Sequence, residues 1–180
     1  TTSREFFGSL GDDIKVTYAR IPFVNNQSGV NFAAFDAVIA VCKGLAPTAP
    51  IVFSCLTGRG RSTMGLMIVA LYRLYCHRAD IAKILAAKCT LVHSNAALGP
   101  LLRLIALLPN GPVHESIVAA LCKLTGDQTS LVERITNAFK VDLDSPLGLE
   151  LLQRYCHLVC FSCYLANEYF VTRRSSHAPL

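Results

Sequence analysis

The sequence has few charged residues and no long apolar run. Charged side chains make up 16% of its 180 residues and apolar ones 52%, which excludes an intrinsically disordered chain. The longest apolar stretches, such as Met64–Tyr72 and Leu158–Ala166, are shorter than the roughly 18 residues that a membrane-spanning helix requires. They have the length of core helix segments. This composition predicts a globular protein with a sizeable core and no transmembrane segment.

The sequence also lacks a leader pattern and a dense basic patch. The opening residues, Thr1 to Glu5, do not show the basic-then-apolar order of a secretory signal. The missing initiator methionine indicates a fragment or an excised domain. A net charge of +5 favours anionic ligands and is compatible with peripheral contact with membrane headgroups. It is too small to predict a nucleic-acid partner.

Eight cysteines are scattered through apolar segments, unlike the disulfide framework of a small secreted domain. We expect most of them to be buried, reduced thiols, which predicts a cytoplasmic location. Three ligand-type residues near the end of the chain, His157, Cys160 and Cys163, have helical spacing. Because no second group of ligands accompanies them, a buried helix is preferred over a zinc site. The cysteines are Cys42, Cys55, Cys76, Cys89, Cys122, Cys156, Cys160 and Cys163.

The first third of the chain alternates between strand and helix patterns. The spacing Thr2-x-x-Glu5 predicts a capping box on a short helix that ends near Gly11. Residues 14–21 alternate like a strand, residues 32–42 have a helical pattern, and residues 51–54 form a short apolar run typical of a buried parallel strand. This order indicates a βαβα unit. The predicted fold class is therefore α/β, with a short parallel sheet.

From Arg61 onward the pattern is almost entirely helical. The apolar stretch 64–75 predicts a central, buried helix. We divide the chain into a core, residues 1–110, and a helical extension, residues 111–180, that packs on it. Further helices are predicted near residues 79–88, 95–107, 113–124, 128–139 and 147–171, with breaks at 109–112, 126–127 and 144–146.

A loop between the second predicted strand and the central helix has the composition of an anion-binding site. Its sequence is Cys55-Leu56-Thr57-Gly58-Arg59-Gly60-Arg61. The glycines allow the backbone to wrap with its N–H groups pointing inward, and the planar guanidinium of Arg61 can bind two oxygens of one phosphate. The helix N-terminus that follows favours both an anion and a thiolate. Such surroundings lower a cysteine pKa from about 8.5 to roughly 3.5–7.5.

These features predict a phosphate-cleaving loop with Cys55 as the nucleophile. Ser62 is placed to donate a hydrogen bond to the departing thiolate, and Thr63 is a weaker candidate for that role. Arg59 is either a second cation that faces the ligand or a solvated loop charge. No metal or organic cofactor is implied. The predicted phosphate-binding residues are Leu56, Thr57, Gly58, Arg59, Gly60 and Arg61.

Other phosphate-binding loops do not fit this segment. A nucleotide P-loop needs Gly at 55 and Lys at 61, and a dinucleotide fingerprint needs Gly at 63. Of the eight cysteines, only Cys55 is followed by an arginine six residues later. The remaining alternative is a glycine-rich turn with a buried cysteine.

The loop and several flanking segments resemble the paladin-like cysteine-dependent phosphatases of the protein-tyrosine-phosphatase superfamily. The phytase-like inositol phosphatases are more distant relatives. The resemblance implies a hydrolase acting on inositol phosphates, phosphoinositides or phosphoproteins. It also implies a sheet with further strands before the start of this chain, so that the sheet here is either truncated or completed by residues outside this sequence. The resembling segments outside the loop are residues 16–22, 35–36, 103–111 and 154–165.

The absence of a general acid, in which the chain departs from this family, leaves a second hypothesis open. Relatives carry an aspartate general acid after the segment that ends at Pro22, but residues 21–35 contain no carboxylate, and Asn25 and Asn26 stand there. Loss of general-acid catalysis typically costs about 10²–10⁴ in rate. Asp36 fits a structural role better, and Ser54 replaces a histidine that many relatives have. The chain is therefore either a phosphatase or a pseudophosphatase that binds phosphorylated ligands in a regulatory role. A helical scaffold with a vestigial loop is a third interpretation.

Overall fold

A computed structural model describes residues 2–9, 16–23, 32–58, 60–77, 98–124 and 130–171, and its regular elements are helices. In chain order they are α1 (Ser3–Gly8), α2 (Phe32–Lys43), α3 (Arg61–His77), α4 (Gly99–Leu107), α5 (Gly111–Leu124), α6 (Leu131–Val141) and α7 (Pro146–Ala166). Helix α7 continues into a π-helical turn, Asn167–Val171. No helix in these ranges is both long enough and apolar enough to cross a bilayer.

The predicted α/β class with a parallel sheet is wrong for the residues that the structure describes. Residues 16–23 and 51–55 have no regular secondary structure and form no sheet within those ranges. Strand propensity depends on context, because a strand must pair its backbone groups and cover its side chains. Val52 shows why the second segment misled the prediction: it is apolar, yet 90% exposed. Residues 14 and 15 of the first predicted strand lie outside the described ranges.

The predictions for helices agree with the structure more closely than those for strands. The capping box is confirmed, since the Thr2 side chain accepts from the Glu5 amide at 3.3 Å and the Thr2 amide donates to Glu5 Oε2 at 2.7 Å. The helix ends at Gly8 rather than near Gly11. The break before α5 is also confirmed, where Asn110 adopts a left-handed φ of 53°. The predicted helix at 79–88 and the break at 126–127 lie outside the described residues.

Helix α3 is central and buried, as predicted. Its inward side chains Met67, Ile68 and Leu71 are almost fully shielded from solvent. Helices α2, α5 and α7 contact it, and α7 also packs on α5 and α6. The core therefore forms between helices that are far apart in sequence.

A buried polar triangle anchors the C-terminal half of α3 to this core. The Tyr75 hydroxyl lies 3.0 Å from His114 Nδ1 on α5 and 2.7 Å from Ser162 Oγ on α7, and the last two atoms are 3.1 Å apart. Burial lowers the pKa of His114, so its ring is neutral at pH 7 and one nitrogen is an acceptor. Because buried polar groups must be paired, the triangle fixes the three helices relative to one another.

Candidate active site

The predicted phosphate loop connects the irregular segment 51–54 to the N-terminus of α3. The structure describes all of its residues except Arg59, which lies outside the described ranges. Gly58 has a φ of +70°, a backbone conformation that only glycine adopts without strain. The Gly60 carbonyl accepts from the Met64 amide at 3.0 Å, which closes the first turn of α3. The loop thus turns sharply at Gly58 and enters the helix at Gly60.

Backbone amides and one hydroxyl act on the sulfur of Cys55, which is partly exposed. Burial raises the pKa of this thiol, but hydrogen bonding by the Ser62 hydroxyl and by the amides of Ser62, Thr57 and Gly60 outweighs burial and lowers the pKa to about 6. Donors of this kind stabilise the anion relative to the thiol. The thiolate therefore predominates above pH 6.

The Ser62 hydroxyl interacts with this sulfur electrostatically. Its Oγ is buried and makes no hydrogen bond of ordinary geometry among the described residues, yet it contributes to the lowered pKa of Cys55. A weakly aligned hydroxyl dipole explains both observations, because its effect on the thiolate does not require an ideal angle. This is the residue that the sequence predicts as the donor to the departing sulfur.

Five other cysteines in the described ranges show the opposite tendency, a raised pKa. Burial raises the pKa of Cys122 to about 12 and that of Cys156 to about 11. None of the seven cysteines in the described ranges forms a disulfide. Two of them, Cys42 and Cys122, are buried and the other five are partly exposed, so the expectation that most would be buried is wrong. Cys89 lies outside the described residues.

The remaining predicted residues lie around the loop at different depths. Arg61 is the first residue of α3 and is partly exposed, and Leu56 is 91% exposed, so the mouth of the loop is open to solvent. Thr63 is buried in α3, and Asp36 is exposed on α2. Within the ranges that the structure describes, no three potential metal ligands come together, the α7 histidine and cysteines included.

One residue near the loop was not predicted from the sequence to belong to the site. Arg154 on α7 extends toward the loop, and its Nη1 lies 3.7 Å from the position that a Cβ would take on Gly60. Its Nη2 lies 2.5 Å from Glu150 Oε1, one turn earlier on the same helix. The available signal was this oppositely charged pair at i,i+4 spacing in a helix that is otherwise mostly apolar.

The N-terminal part of the chain is similar to a known family. Residues 1–73 match the family model of the PTP-like phytases, which is described by inositol hexakisphosphate. The matched part contains the loop and most of α3. Neither the curated proteins nor the solved structures include a match to this chain. Together with the loop geometry, the family match supports a phosphatase of the PTP-like superfamily.

Proposed function

We propose that this chain is a cysteine-dependent phosphatase that hydrolyses phosphate monoesters through a cysteinyl-phosphate intermediate. The observation that carries the proposal is the convergence of three amides and a hydroxyl on the Cys55 sulfur, which lowers its pKa to about 6. A structural cysteine does not need an ionised sulfur at neutral pH, whereas a nucleophile does. The same donors favour a bound phosphate oxyanion.

In the first step the Cys55 thiolate attacks phosphorus, the S–P bond forms and the bond from phosphorus to the ester oxygen breaks. The loop amides and the Arg61 guanidinium stabilise the charge on the equatorial oxygens. In the second step water attacks phosphorus, the S–P bond breaks, and Ser62 donates a hydrogen bond to the departing thiolate. Inorganic phosphate is released and the enzyme is regenerated without a cofactor.

The proposed substrate class rests on charge and on the similarity of residues 1–73 to the PTP-like phytases. We favour inositol phosphates and phosphoinositides over phosphoproteins, because a second loop cation, Arg59, suits a polyanion. No carboxylate lies in residues 21–35 to protonate the leaving oxygen. The proton then comes from solvent or from a neighbouring group of the substrate, and turnover is slow.

The missing carboxylate also favours a second candidate, a pseudophosphatase that binds phosphorylated ligands without turnover. Loop amides and Arg61 suffice for such binding. The lowered pKa of Cys55 argues for the enzyme, since a pure binder gains nothing from an ionised thiol.

Phosphate release from inositol polyphosphates and phosphoinositides separates the two candidates. Wild type, Cys55→Ser and the control Cys163→Ser are compared, because Cys163 is a partly exposed thiol on α7. For an enzyme we expect release by wild type and by Cys163→Ser, and only background with Cys55→Ser. Binding by all three proteins without release identifies a pseudophosphatase. The absence of both binding and release rejects both candidates.

A further inference from the structure

The structure brings a guanidinium from the C-terminal helical region against the entry of the catalytic loop into α3. Arg154 lies outside the family match, which ends at residue 73. Its Nη1 lies 3.7 Å from the position that a Cβ would take on Gly60, which places the guanidinium beside the loop with space for one methyl group between them. Gly60 contributes an amide that lowers the pKa of Cys55 and a carbonyl that begins α3. A displacement of Gly60 therefore disturbs both the sulfur and the helix start.

The guanidinium of Arg154 has Glu150 on one side and the loop on the other. Its side chain is 12% exposed, and Glu150, itself 25% exposed, binds Nη2 while Nη1 faces the loop. A planar guanidinium can serve two groups at once because its nitrogens project in fixed directions. The carboxylate also offsets the cost of keeping the cation partly desolvated.

The helix that carries this pair is itself rigidly packed. The neighbouring residues Tyr155 and Leu158 are completely buried, and the Tyr155 hydroxyl donates to Glu115 Oε1 on α5 at 2.9 Å. The packing of helix α7 thus holds Arg154 in a fixed position next to the loop. A rigid supporting shell is what keeps an anion-binding loop in its productive geometry.

We propose that Arg154, oriented by Glu150, is a positioning residue that braces the loop at Gly60 and keeps the loop amides directed at the Cys55 sulfur. This inference rests on the proposed phosphate-binding function of the loop. It makes helix α7 part of the catalytic unit, although the residues of the family match do not include it.

The test measures the loop itself rather than turnover. The rate at which iodoacetamide alkylates Cys55 is followed against pH by mass spectrometry of its peptide, and inorganic phosphate is titrated as a protecting ligand. The variants are Arg154→Met, which removes the guanidinium, and Arg154→Lys, which keeps the charge without the fork. Arg103→Met removes an exposed arginine from α4 and is the matched control.

We expect Arg154→Met to move the alkylation midpoint upward by about one pH unit, a roughly tenfold loss of thiolate below the midpoint. Phosphate should protect Cys55 only at several-fold higher concentration. In Arg154→Lys the midpoint should move in the same direction by a smaller amount, and in Arg103→Met it should equal that of wild type. The circular dichroism of folded variants should be unchanged.

The proposal is overturned if Arg154→Met keeps the wild-type alkylation midpoint and the wild-type protection by phosphate. It is also overturned if Arg154→Lys has both wild-type values, since the positive charge alone would then be sufficient. If Arg154→Met does not fold, Arg154→Lys decides by the same criteria. The readouts do not depend on catalysis. A shifted midpoint in a protein that releases no phosphate therefore supports the brace while rejecting the phosphatase.

Discussion

Residues 51–56, which lead into the loop, and helix α7 differ in how much of their apolar surface is covered. Val52 and Leu56 are 90% and 91% exposed, whereas Tyr155 and Leu158 are fully buried. The proposed chemistry thus lies beside apolar side chains that are exposed to solvent. The core residues Tyr155 and Leu158 lie in a part that the family match does not reach, whereas most of α3 lies within the matched residues. Reactive loops on a rigid scaffold are a common division of roles in proteins.

Helix α3 joins these two regions. Its first residues form the wall of the loop, and its last turns enter the core, where Tyr75 meets His114 and Ser162. The division of the chain at residue 110 remains a prediction, and the hydrophobic core contains residues from both sides of it. Because α5 and α7 contact α3, side chains from later in the chain support the helix that follows the loop.

The largest expected difference between the two regions comes from truncating one apolar side chain in each. Leu158→Ala removes a completely buried side chain and should lower the free energy of unfolding by about 2–5 kcal/mol. Val52→Ala removes a similar apolar group from a 90% exposed position and should change it by no more than about 0.5 kcal/mol. Urea denaturation of both variants measures the difference. Equal losses would show that residues 51–55 are covered in solution.

A second prediction compares two glycines of the loop. Gly58 has a φ of +70°, so Gly58→Ala should cost about 1–2 kcal/mol and weaken the protection of Cys55 by inorganic phosphate. Gly60 lacks this constraint, and a Cβ there would lie 3.7 Å from Arg154 Nη1, an ordinary contact. Gly60→Ala should therefore be tolerated better in both measurements. The reverse order would mean that the tight point of the loop is at Gly60.

The helices were predictable because their signals are local. The capping box at Thr2 and the break near Asn110 are each specified within a few residues. The sheet was mispredicted because residues 51–54 have the composition of a buried strand, while the pairing that would make them one depends on segments far away in sequence. Local pattern does not reveal whether such a partner exists.

The candidate site shows the same limit. Cys55, the glycines and Ser62 lie within eight residues, so their spacing was sufficient to predict a common site. Arg154 lies almost a hundred residues later, and only the packing of α7 against α3 brings it to Gly60. Its pairing with Glu150 reads in the sequence as an ordinary surface ion pair of a helix.

The smallest expected effect concerns the Ser62 hydroxyl. The pKa of Cys55 lies at about 6, below its usual range, so the alkylation rate should rise as pH increases through 6 and level off above it. Ser62→Ala removes one of the donors that lower this pKa, and the midpoint should therefore move upward. Because the amides of Ser62, Thr57 and Gly60 remain, we expect a rise of less than about one pH unit.

Ser54→Ala, at an exposed serine directly before the cysteine, is the control and should leave the midpoint in place. An unchanged or lowered midpoint in Ser62→Ala would show that the backbone alone stabilises the thiolate. In that case Ser62 would have no basis for its proposed role in the release of the sulfur.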